Sequence, residues 1–169
     1  MICGQGVEPA LAEWSSGATL VLGVGNARRG DDAVGPMVCS RLASVRAVDC
    51  GDAPERYLGL AGDEGIERVL MVDAMDFGGG VGELAFCRLS DLTERFGTTH
   101  TSGLAVLVRF IEEEYGKPVA VLGVQPADTR FGVRVHAAVQ EAVDRVSDLL
   151  RSAISGRETG EMEAAWIRS

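Results

Sequence analysis

Long apolar runs are missing from this chain. None approaches the ~20 residues a membrane-crossing helix requires, so no membrane insertion is expected. The first 17 residues lack a basic start followed by an apolar stretch, so no secretory signal is expected either. Positive charge is short: 16 Lys and Arg stand against 25 Asp and Glu, for a net charge of −9. That balance argues against nucleic acid or an anionic membrane as partner. The four cysteines, Cys3, Cys39, Cys50 and Cys87, are widely spaced and form no Cys-x-x-Cys. A zinc knuckle and a redox pair are thereby disfavoured, and the expectation is reduced, mostly buried thiols in a cytoplasmic protein. A dinucleotide loop is also lacking: Gly23-x-Gly25-Asn26 follows an apolar run, but Gly-x-Gly-x-x-Gly would need glycine where Arg28 stands. No internal repeat and no long low-complexity segment interrupts the chain.

What is present is ordinary globular material. The 169 residues, 46% hydrophobic and 24% charged, suit one domain with one core. The expected division is an extension at 1–17, a domain at 18–155 and a polar tail at 156–169 that docks through Trp166. Short apolar runs read as strands at 18–24, 46–50, 69–72, 83–89 and 119–124. Helical spacing is read at 32–45, 54–61, 103–115 and 135–154. This alternation predicts an α/β fold: a three-layer α/β/α sandwich around a twisted, mostly parallel five-stranded sheet, whose strands are apolar on both faces.

In an open sheet of this kind, ligands collect beyond the carboxyl ends of the strands. Asp32 and Asp73 lie just past two apolar strands, and His100 follows a third. Two carboxylates and an imidazole at that edge make a small divalent-metal site with open positions. Each has a plainer reading. Asp31 and Asp32 are placed to cap a helix, Asp73 to close a turn, and His100 to sit on the surface. Asp31-Asp32 nevertheless opposes an anion at that mouth and favours a cation. Asp31, Asp49 and Asp76 are assigned supporting or substrate-binding roles, and His136 is read as a surface residue. No Ser-His-Asp set is visible. Arg28-Arg29 borders the proposed site, which favours an acidic substrate surface.

The motifs Gly23-Val24-Gly25-Asn26-x-x-x-Gly30-Asp31-Asp32-x-x-Gly35, Asp49-x-Gly51, Val72-Asp73-Ala74-x-Asp76, Gly82-Glu83, His100 and Leu122-Gly123-Val124-Gln125-Pro126 follow in that order. In this the chain resembles the nickel-iron hydrogenase maturation endopeptidases over about Leu20 to Leu150. Asp52-Ala53-Pro54-Glu55 and Thr98-Thr99-His100 resemble most the branch acting on membrane-associated, hydrogen-evolving hydrogenases. The resemblance implies removal of a C-terminal extension from the hydrogenase large-subunit precursor after nickel insertion. It implies Asp32, Asp73 and His100 as nickel-recognising residues, with the nickel carried by the substrate rather than tightly held by the enzyme. Asp32 and Asp73 are the expected catalytic pair, with water activated either by a carboxylate or by the metal. The protein is expected to be a monomer. Two other functions stay open on the residues: a non-proteolytic checkpoint or chaperone that binds a metalloprotein precursor, and a small metal-dependent hydrolase.

Overall fold

The structure is a computed structural model. It describes the backbone of residues 1–42, 46–95 and 99–166, and the side chains of these except at 93–95, 99–102 and 155–166. Chain order gives β1 (Ile2–Cys3), α1 (Val7–Trp14), β2 (Thr19–Val24), α2 (Val34–Arg41), β3 (Ala47–Gly51) and β4 (Arg68–Ala74). It continues with β5 (Leu84–Cys87), α3 (Leu89–Arg95), α4 (Thr99–Tyr115), β6 (Val119–Val124) and α5 (Ala137–Trp166). The strands form one sheet in the order β1-β5-β6-β4-β2-β3. Strands β3, β2, β4 and β6 run parallel, while β5 and β1 are antiparallel to their neighbours.

The central strands are apolar on both sides because both sides are covered. Alternate residues divide between two cores, as the period of a strand demands. Val21, Leu70 and Leu122 pack with Leu11 of α1, Val38 of α2 and Val143 of α5. Leu22, Met71 and Val121 face the other way, with Leu92 of α3 and Val108 and Ile111 of α4. Each such Leu or Val, withdrawn from water, contributes about 1.5–3 kcal/mol. The result is the expected α/β/α sandwich.

The sheet has six strands rather than the five expected. The addition comes from residues 1–17, which form more than a loose extension. Ile2 and Cys3 pair with Phe86 and Ala85 and cover the β5 edge, a position that exposed strands otherwise leave open to foreign chains. Val7 and Leu11, four residues apart, are fully buried, and Trp14 meets Phe86 edge-on with ring centroids 5.9 Å apart. The N-terminal ammonium pairs with Asp91.

Three further differences concern helices. The segment expected as one helix from residue 32 begins as a 3₁₀ turn, Gly30–Ala33, and turns α-helical at Val34; Val45 lies outside the described residues. The helix expected at 54–61 is two 3₁₀ turns, Pro54–Arg56 and Leu58–Gly62. The backbone of α5 stays helical to Trp166, past the expected start of the tail, and the docking of Trp166 lies outside the described side chains. Among the described residues no helix is long and apolar enough to cross a membrane. Cys39, Cys50 and Cys87 are buried and Cys3 is exposed. Burial pushes the Cys39 thiol up to about 11 and the Cys50 thiol up to about 12.

Candidate active site

A cleft of about 840 Å³ opens at the carboxyl ends of β2 and β4. Val24 and Gly25 form one part of its floor, and Asp73, Ala74 and Met75 another. Asp32, Asp76, Asp52 and Glu55 supply further carboxylates, and the loop Pro126–Thr129 forms a wall. Gly103, Leu104 and Leu107 of α4 form the wall on the opposite core.

Close backbone approach builds this floor. A Cβ at Gly35, in the first turn of α2, would lie 2.3 Å from the backbone N and O of Val24 and 2.6 Å from the Val72 carbonyl. Only glycine lets α2 rest on the ends of β2 and β4. At Gly25, φ is +125°, and a Cβ would stand 1.9 Å from the Asp32 carbonyl oxygen. Any side chain there would displace the turn that carries Asp32.

Asp31 and Asp32 are neighbours with divergent tasks. Neither caps a helix: the 3₁₀ turn and α2 both begin without a side-chain cap, contrary to the capping reading. Asp32 is half-buried in the cleft, and its Oδ2 accepts the Asn26 amide at 2.9 Å. Asp31 is fully buried and turned away. Its Oδ2 accepts the amides of Ala127 at 2.7 Å and Asp128 at 3.0 Å, and its Oδ1 accepts that of His136 at 2.7 Å. This carboxylate holds the wall loop in place and does not line the cleft.

Asp73, near the end of β4, is half-buried beside the same cleft. Burial pushes its carboxyl up to about 7, and the negative charge of Asp32 adds to the rise; a hydrogen bond involving the Ala74 backbone acts in the opposite sense. A buried carboxyl raised by burial and by a neighbouring carboxylate is characteristic of acid–base sites and of sites awaiting a cation. Asp76 is exposed at the rim, where its Oδ1 accepts from Gly78 N–H at 3.2 Å and Gln125 Nε2 at 3.0 Å. Gln125 is buried, and its Oε1 receives the amides of Phe77 and Gly79, fixing the turn after β4.

Asp49 is not brought to this site. It is exposed on the edge strand β3, and its Oδ1 accepts the Gly51 amide at 2.9 Å, a local turn contact. His100 lies in the first turn of α4, the helix whose Gly103 and Leu104 line the cleft; its side chain lies outside the described residues. His136 is exposed immediately before α5, as expected for a surface residue. Arg29 lines the cleft, as its loop was expected to border the site, whereas sequence reasoning did not assign Asp52 or Glu55 to the lining. Asp52 and Glu55 carried a usable signal, since they directly follow β3 at the carboxyl edge where ligands collect.

A family model described as hydrogenase maturation protease matches residues 38–153, a stretch that includes Asp73 and His100. The chain belongs to the hydrogenase maturation protease family. It is 32% identical over 133 residues to the hydrogenase 3 maturation protease of Escherichia coli K12, covering 75% of this chain and 85% of that one. The crystal structure of a [NiFe] hydrogenase maturation protease from Thermococcus kodakarensis superposes with a TM-score of 0.79 at 28% identity, over 86% of this chain and 99% of that one. A crystal structure of a hydrogenase 3 maturation protease gives 0.71 at 31% identity, over 82% and 92%. The site thus belongs to a peptidase of hydrogenase maturation.

Proposed function

We propose that this peptidase removes the C-terminal extension of a nickel-iron hydrogenase large-subunit precursor once nickel has been inserted, acting as a cytoplasmic monomer. The observation that carries the reading is the pairing of Asp32 with Asp73 in an open cleft, with Asp73 pushed up to about 7. Without a cation, the pair favours keeping a proton on Asp73. A cation brought into the cleft favours the ionised form and offsets the cost of burial. The nickel is substrate cargo. Asp32, Asp73 and His100 recognise it, since carboxylate and imidazole suit nickel and three protein ligands leave positions open. Asp32 and Asp73 also handle the protons of peptide-bond hydrolysis, which makes this an aspartic-type peptidase. The similarity to hydrogenase 3 maturation proteases supports a precursor from the hydrogen-evolving branch.

The test mixes the protein with nickel-loaded and nickel-free large-subunit precursor and weighs the products. A mass loss at the C-terminus of the loaded precursor alone is expected. Binding without mass loss would make the protein a checkpoint, and equal cleavage of both forms would remove nickel recognition. Elemental analysis of the dialysed protein should find no stoichiometric nickel or zinc.

A further inference from the structure

The wall loop carries a feature that the cleft chemistry does not use. The loop runs on past Thr129 to His136, and within it Phe131 is 71% exposed, while Val133 is also exposed and lies against Gly30. Arg28, Arg29, Arg130 and Arg134 come from the same two adjoining segments and are all exposed. Of these four only Arg130 pairs with a carboxylate, Asp128, among the described residues, so Arg28, Arg29 and Arg134 carry positive charge without an ion pair there. This cluster stands out on a chain of net charge −9.

The loop is also held. Asp31 binds three of its amides, Gly132 N–H donates to the Arg28 carbonyl at 2.8 Å, and Arg29 Nε donates to the Thr129 carbonyl at 3.1 Å. An aromatic side chain fixed in water by a braced loop is the makeup of an interface anchor. Arginines around it select the partner's charge and steer its approach. Arg29 and Thr129 line the cleft itself, so the patch continues directly into the site.

We propose that Phe131 and Val133, with the unpaired Arg28 and Arg134 on the same two segments, form a docking platform for an acidic segment of the precursor protein that carries an apolar side chain. The contact lies beside the cleft and not on the scissile bond. The inference rests on the reading that the chain processes a protein precursor. Docking here would present the precursor's body to the platform while its C-terminal end enters the cleft.

The test compares wild type with Arg28→Glu/Arg134→Glu and with Phe131→Ser, using nickel-loaded large-subunit precursor at several salt concentrations. Both variants change exposed side chains and should melt close to wild type. The expected result is a KM raised about tenfold or more with kcat unchanged. The charge-reversal variant should also lose most of the salt dependence that wild type shows. An unchanged KM with wild-type salt dependence overturns the platform. If wild type leaves the precursor intact, the proteolytic reading fails, and direct binding of the same pair then decides: affinity lost on charge reversal keeps the platform, while equal or absent affinity overturns it. A dimer of this chain that dissociates on charge reversal would assign the patch to a second copy and also overturn the proposal.

Discussion

Asp31 and His136 are joined across 105 positions of sequence: Asp31 Oδ1 accepts the His136 backbone amide at 2.7 Å. With the amides of Ala127 and Asp128 on the other oxygen, one buried side chain clamps both ends of the cleft's wall loop.

Replacing Asp31 by alanine orphans three amides at once. Each unsatisfied buried donor costs about 1–3 kcal/mol, reduced where water enters the vacated space. Asp31→Ala should therefore lower stability by about 3 kcal/mol and loosen the loop. Urea denaturation measures the first effect, and amide exchange at Ala127, Asp128 and His136 measures the second. Exchange rates matching wild type would show that the clamp is dispensable.

Asp73 makes the metal-free protein sensitive to pH in a defined direction. Its carboxyl rises from 3.8 to about 7 on folding, chiefly through burial and then through the charge of Asp32. Between those values the folded chain holds a proton that the unfolded chain has released. Stability should fall as pH rises through this window and level off above about 7. Asp73→Asn cannot ionise, so it should flatten this part of the profile and be the more stable protein at pH 8 by on the order of 1–3 kcal/mol, a figure reduced for partial solvent screening. Parallel profiles for wild type and variant in urea melts at pH 5 and 8 would contradict the assignment.

The same substitution should abolish function. Asp32→Asn and Asp73→Asn keep volume but remove charge and would weaken the proposed nickel recognition, and each should reduce precursor processing on the order of 10²-fold or more. Asp76→Asn retains a side-chain oxygen for the Gly78 amide and should be milder. Mass spectrometry of timed digests ranks the three. A slow Asp76 variant beside a near-normal Asp32 variant would move the chemistry to the rim.

The parts of this fold written in strong periodicity were readable from sequence. Both-faced apolar strands such as 119–124 announced a sheet covered on two sides, and the strand-end rule brought out Asp32 and Asp73. The N-terminal helix carried its signal too, in the 4-then-3 spacing of Val7, Leu11 and Trp14, but the two-residue strand before it depends on an edge that only the folded sheet supplies. Helix α3 has just Leu89 and Leu92 to mark it, too few for a period. Sequence reasoning assigns Asp31 a supporting role and Asp32 a place in the site, but not the partners that draw Asp31 away. Adjacent carboxylates look alike in sequence, and the three amides that claim Asp31 arrive from residues 127–136. Asp49 spends its acceptor on the next turn at Gly51, as the structural reading of that residue allows.

The two histidines are expected to differ in role. His136 gives its backbone amide to Asp31, a contact that alanine preserves. Its Nδ1 accepts the Ala138 amide at 3.2 Å, a cap-like bond at the start of α5 worth about 0.5–1 kcal/mol. His136→Ala should thus melt within a few degrees of wild type and process precursor normally. His100, in the first turn of the helix that walls the cleft, is proposed to contribute a neutral nitrogen to nickel carried by the precursor. His100→Ala should fold and yet leave nickel-loaded precursor unprocessed, with a loss on the order of 10²-fold. Thermal melts and timed digests on both variants decide the matter. An unfolded His100→Ala would make that histidine structural, and normal processing by both variants would leave Asp32 and Asp73 to act without an imidazole partner.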